Sequence, residues 1–131
     1  MPNRVQNYSV ALAWVQARGT TPGKKRRPVY ILDATATSVT FLIITTKYDN
    51  KSPFVKQFYS RVEDWAQANL AAPSWVNTYE VYQASLRDVG VTVIGFLSEQ
   101  DTDRLFHLIA EHDKLLATRP SETTGNITIV D

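Results

Sequence analysis

What most constrains this chain is a succession of short β-type runs separated by turn residues, with one extended helical stripe near its end. Pro28 to Leu32 (PVYIL), Ser38 to Thr46 (SVTFLIITT) and Val91 to Leu97 (VTVIGFL) are rich in β-branched and aromatic residues, the composition of strands. Tyr8 to Val15 alternates, with Tyr8, Val10, Leu12 and Trp14 on one face, and reads as a first strand. Val55 to Tyr59 and Trp75 to Tyr82 bring the total to about six. On Ser38 to Thr46, the residues Val39, Phe41, Ile43 and Thr45 share one face, while Thr40, Leu42, Ile44 and Thr46 share the other. Thr45 therefore extends a row of large apolar side chains and is expected at a core edge.

Two serines carry helix-start signals. Ser60-Arg61-Val62-Glu63 has the form of a capping box, and Val62, Trp65, Ala66 and Leu70 follow at helical spacing. This predicts a short inserted helix that Pro73 cannot let continue. Ser98-Glu99-Gln100-Asp101 repeats the signal ahead of a stripe of Leu105, Leu108, Ile109, His112 and Leu116, which predicts a C-terminal helix. The expected fold is mainly β (β+α): a small antiparallel barrel or half-barrel of about six strands, with the inserted helix and the C-terminal helix. Residues 1–116 are expected to form a single domain, and 117–131 a polar, flexible tail whose NITIV segment could pair on a sheet edge.

Composition removes several chemistries. A chain of 131 residues without cysteine has no disulfide framework, thiolate metal site or cysteine nucleophile. No apolar run approaches the ~20 residues of a membrane span, and a cytoplasmic location is expected. The formal net charge is +1, yet the halves differ sharply. Residues 1–61 carry ten Lys/Arg against two acids, and residues 62–131 carry four against eleven. Such polarity raises the prospect of an anionic ligand on the basic side.

The basic side concentrates in Arg18 and Lys24-Lys25-Arg26-Arg27, read as a loop with a Pro22-Gly23 turn. A solvated loop and a phosphate-binding loop both fit this composition; guanidinium forks match phosphate oxygens bidentately. Arg27 stands apart because it directly precedes Pro28, which restrains its backbone. His107 and His112 are five residues apart and do not stack on one helix face as metal ligands would. His112 continues the apolar stripe and reads as a packing residue. Ser60 and Ser98 are accounted for as caps, and Trp14, Trp65 and Trp75 as core. Tyr79 and Tyr82, placed on one strand, could stack RNA bases. The residues alone thus give a small β domain suited to binding anions, with no nucleophile in evidence.

Four strings, in order, resemble the PemK/MazF toxins, the ribonuclease partners of type II toxin–antitoxin pairs. GKKRRPVYIL (Gly23 to Leu32) is similar to the family's x-R-P-V opening of its second strand, and FLIITTK (Phe41 to Lys47) to its strand ending in I-T-S or I-T-G. DWAQANLAAPSWV (Asp64 to Val76) resembles D-W-x-x-A-G-L-x-x-P-S-x-V, with Asn69 at the glycine position. VIGFLSEQDTDRL (Val93 to Leu105) resembles the closing I-G-x-L-S-x-x-D-x-x-x-L. The R-T-x-D-like string of many members is replaced by YEVYQAS (Tyr79 to Ser85).

The resemblance implies an SH3-like barrel, a homodimer and an acidic antitoxin partner. It also implies sequence-selective cleavage of single-stranded RNA to a 2′,3′-cyclic phosphate and a 5′-hydroxyl, with no metal or other cofactor. The family's catalytic arginine and threonine correspond to Arg27 and Thr45. Arg18, Lys24, Lys25, Arg26, Thr46 and Lys47 are then expected to bind the RNA. A non-catalytic barrel that binds RNA or a protein such as DNA gyrase is the alternative, and a plain SH3-like interaction module is a third.

Overall fold

β3 (Ser38–Thr45) organises the protein because both of its faces are apolar. The computed structural model describes residues 5–15, 25–117 and 129–130. β3 pairs antiparallel with β2 (Lys25–Ala34) on one side and with β6 (Val81–Ser85) and β5 (Ser74–Asn77) in turn on the other. The strand path continues to β1 (Val10–Val15) and β7 (Thr92–Gly95) at one end and to β4 (Tyr59–Val62) at the other. The result is a mainly antiparallel sheet with short helices, as expected. Its path ends at β4 and β7, which are not paired with each other, so the sheet is not closed. Ile129–Val130 (β8) adds to β6 in parallel, the edge pairing foreseen for NITIV.

The alternation on β3 separates two cores. Leu42 and Ile44 pack with Val10, Tyr30, Val62, Val76 and Leu105 on one side, and Val39, Phe41 and Ile43 pack with Ala13, Val29, Ile31 and Tyr82 on the other. The first core is covered by α3 (Glu99–Ala110), whose Leu105 is fully buried. The second is bridged by α2 (Leu86–Val89), whose Val89 is buried and whose Gly90 ends it at φ 56°, the left-handed region open to glycine.

Several local expectations are corrected. Val55 to Tyr59 is not a strand: Ser52 caps a short α1 (Pro53–Lys56), and β4 begins at Tyr59. Ser60 caps no helix. It lies inside β4 opposite Val76, because burying Val62 against β5 outweighs the local capping pattern. The inserted helix is a turn, with the Ala68 N–H bonding the Asp64 carbonyl and the chain leaving through Asn69 at φ 63°. Trp75 to Tyr82 divides into β5 and β6, so Tyr79 and Tyr82 are not on one strand. The C-terminal helix begins where expected, the Ser98 hydroxyl accepting the Asp101 N–H at 3.2 Å. It breaks at Glu111, and α4 (His112–Leu116) follows.

Candidate active site

Lys25, Arg26 and Arg27 are not in a loop; they open β2, paired with Val15, Trp14 and Ala13 of β1. The Ile31 N–H bonds the Ser9 carbonyl, so odd-numbered residues of β2 turn their amides toward β1 and even-numbered ones toward β3. Pro28 is therefore on the β3 side, one residue beyond the final Val29–Ile43 pair. A proline sits there without breaking the ladder. Beside it, Arg27 is held in strand geometry with a half-buried side chain. Its Nε is shielded from solvent and has no partner among the described residues, a costly state for a cation unless an acceptor arrives.

Thr45 closes β3 and is half-buried, at the core edge where its row ends. Its hydroxyl accepts the Lys47 N–H at 3.0 Å, which fixes the rotamer and leaves its own proton available among the described residues. The β2–β3 register, carried two residues past Val29–Ile43, sets Thr45 across from Arg27. On its other side Thr45 pairs with Trp75, and Trp75 pairs with Arg61. Ala13–Arg27 and Thr45–Trp75–Arg61 are thus two paired stretches, which the extended β2–β3 register aligns as one row across five strands. Paired residues project to the same side. β6 pairs with β3 only as far as Phe41, and β5 takes its place beside Thr45.

The other expected site residues divide. Lys25 shares the Arg27 face by strand alternation, whereas Arg26 is on the opposite face beside the exposed Trp14. The basic run is therefore not one patch. Thr46 and Lys47 are exposed at the end of β3. Arg18, Lys24 and the Pro22-Gly23 turn lie outside the described residues. His107 is exposed, and His112 packs its ring against Phe58 at 5.3 Å, the packing role expected of it. Trp14 is 48% exposed rather than in the core. Tyr82 is buried and stacked on Phe41, and Tyr79 packs on Phe54 and Phe58, so neither presents a stacking face at this row. Among the described residues, no group of three or more His, Asp or Glu gathers as a metal-binding set. No helix there is long and apolar enough to cross a membrane.

Sequence reasoning missed two residues at the row, Trp75 and Arg61, and the anchor behind them. Asp101, 1% exposed, accepts the backbone N–H groups of Glu63 at 3.0 Å and Asp64 at 2.8 Å. Arg104 donates to Asp101 at 2.6 Å and to the Arg61 carbonyl at 3.0 Å. Burial pushes the Asp101 carboxyl up, but the bonds from Asp64, Glu63, Arg104 and Ser98 outweigh it and hold the group below the ordinary carboxylate value. α3 is thereby tied to β4 under Arg61.

No family model matches the sequence, and no curated protein matches it. Among solved structures, the toxin MazF-mt6 of Mycobacterium tuberculosis superposes with a TM-score of 0.59 at 22% identity, covering 81% of this chain and 96% of that one. The chain has the MazF fold. The expected architecture is thus found in a solved MazF structure, and in this chain β2, which carries Arg27-Pro28, and β3, which closes with Thr45, lie within the sheet rather than at its ends. A shared fold by itself assigns no chemistry.

Proposed function

We propose that the protein is an endoribonuclease toxin of the MazF type that cleaves single-stranded RNA at Arg27 and Thr45. What supports this reading is a restrained, half-buried arginine with an unpartnered Nε and a threonine with a free hydroxyl proton at neighbouring ends of adjacent strands, which the extended β2–β3 register sets across from each other. RNA supplies its own nucleophile in the 2′-hydroxyl, so the protein needs only to position the chain and stabilise the pentacoordinate phosphorus. Arg27 brings a permanent positive charge and a rigid set of donors to the developing phosphorane charge. Thr45 donates a hydrogen bond from its hydroxyl to a non-bridging oxygen. The 2′-oxygen bonds to phosphorus as the P–O5′ bond breaks, the 2′-proton leaving to solvent and the 5′-oxygen taking one up. No side chain forms a covalent bond, and the products are a 2′,3′-cyclic phosphate and a 5′-hydroxyl.

Lys25 and Lys47 attract and hold the RNA backbone; Arg18, Lys24 and Thr46 are proposed as further contacts, and Arg26, on the opposite face, adds only to the attracting charge. The reading includes a homodimer and an acidic antitoxin that folds across the basic strand end and occludes Arg27. Cytoplasmic action follows from an RNA substrate. The test is cleavage of a long single-stranded RNA in the presence of a chelator by wild type, Arg27→Ala and Thr45→Ala. Wild type is expected to cut and both variants to lose most activity. An intact RNA with wild type, or undiminished cutting by both variants, overturns the assignment.

A further inference from the structure

Beyond Thr45 the cross-strand row changes from cationic to aromatic. Trp75 stacks on Tyr48 with ring centroids 4.7 Å apart and planes at 6°. Each ring also carries a cation: the Lys56 ammonium is 4.9 Å from the Tyr48 centroid, and the Arg61 guanidinium 6.0 Å from that of Trp75. The pair borders a cleft of about 390 Å³ between β4 and α3, lined also by Tyr59, Ser60, Arg104 and His107. Ser60 is 3% exposed and its hydroxyl has no partner among the described residues, so the cleft holds an unused hydrogen-bonding group. Burial, then Glu80 and Tyr82, push the Tyr59 phenol up to about 12.

The half-buried pair joins an aromatic stacking surface to two neighbouring cations, the combination that a base with its phosphates fits. Bases stack on such rings irrespective of sequence, while neighbouring cations take the phosphates. The distance suits one ligand. Arg27 to Arg61 is three strand spacings, about 14 Å, with Thr45 and Trp75 between them. A nucleotide chain lying along the row places one phosphate at Arg27 and Thr45 and a neighbouring base over Trp75.

We infer that the Tyr48–Trp75 pair, flanked by Lys56 and Arg61, is a stacking platform for a nucleobase adjoining the cleaved phosphate. It rests on the ribonuclease reading for the position of that phosphate, and the test separates the two. The platform is a positioning device: it orders the substrate without touching the reacting atoms.

Binding of a short fluorescein-labelled 2′-O-methyl RNA, which cannot be cut, is measured by anisotropy with the full chain at fixed salt. Trp75→Ala and Tyr48→Leu are each expected to weaken it roughly tenfold, and Trp75→Phe to restore most of the loss. A matched oligonucleotide with abasic positions is expected to bind wild type weakly and to show no difference between wild type and Trp75→Ala. Unchanged affinity in Tyr48→Leu and Trp75→Ala overturns the platform, even if wild type cuts RNA. Trp75-dependent binding by a protein that cuts no RNA upholds the platform and overturns the ribonuclease reading. An oligonucleotide that does not bind wild type also overturns the platform, leaving a protein partner as the occupant of the cleft.

Discussion

Thr45 and Trp75 are paired across the β3–β5 ladder, and the pairing joins the candidate catalytic strand end to the aromatic cleft. Because Ile44 and Val76 beside them point into the core, Thr45 and Trp75 have no choice of face. If the Thr45 hydroxyl stabilises a phosphorane oxygen, Thr45→Ala lowers kcat on single-stranded RNA about 100-fold with KM little changed. Thr45→Ser retains most of the activity. Steady-state kinetics on a defined RNA checks both variants.

Arg27 is not replaceable by lysine in this account. Lysine keeps the charge but loses the fixed fork of donors, and its shorter polar head does not reproduce the shielded Nε. Arg27→Lys is expected to fold, to bind 2′-O-methyl RNA within a few-fold of wild type and to cleave at least about 100-fold more slowly. Binding and single-turnover cleavage measured on the same preparation provide the check.

Asp101 couples α3 to the turn after β4, and its loss is a matter of stability. Asp101→Asn weakens the bonds to the Glu63 and Asp64 amides and is expected to cost about 2–3 kcal/mol in urea denaturation. Because the folded carboxyl titrates below its unfolded value, its stabilisation is fully present above the unfolded pKa and is lost as pH falls through the folded one. Wild type should therefore lose more stability than Asp101→Asn on acidification below about pH 4. Denaturation midpoints across that range measure the difference.

Asn69 occupies a left-handed position, φ 63°, and its Nδ2 donates to the Ile94 carbonyl at 2.5 Å. A Cβ on Gly95 would lie 3.0 Å from the Ala68 carbonyl oxygen and 3.1 Å from the Asn69 Nδ2, so admitting one requires the turn to yield by a few tenths of an ångström. Asn69→Gly keeps the backbone and loses one bond, whereas Asn69→Ala loses the bond and strains the turn. Thermal denaturation is expected to rank Asn69→Gly above Asn69→Ala, with Gly95→Ala destabilised by about 1–3 kcal/mol.

The sequence pattern made the two faces of β3 and the Ser98 cap legible, because each depends on residues close along the chain. It misled at Ser60, where a capping box and a strand share the same residues and only the distant partner Val76 decides between them. It also read Lys25 to Arg27 as loop, where they open β2. Pairing with β1 turns Arg26 away from Arg27, a consequence of strand alternation that composition cannot show. The Tyr48–Trp75 pair was out of reach for the same reason: the two rings meet only after β5 joins β3.

The central claim is that the RNA's own 2′-hydroxyl attacks the phosphate held at Arg27 and Thr45. Its most direct measurement is the chemistry of the ends that wild type leaves on a single-stranded RNA in chelator, compared with the same RNA carrying a 2′-deoxy nucleotide at the cut position. The account predicts 2′,3′-cyclic phosphate and 5′-hydroxyl ends, and no cut at the deoxy position. Ends with 3′-hydroxyl and 5′-phosphate, or a deoxy position cut as fast as the ribose one, would contradict it.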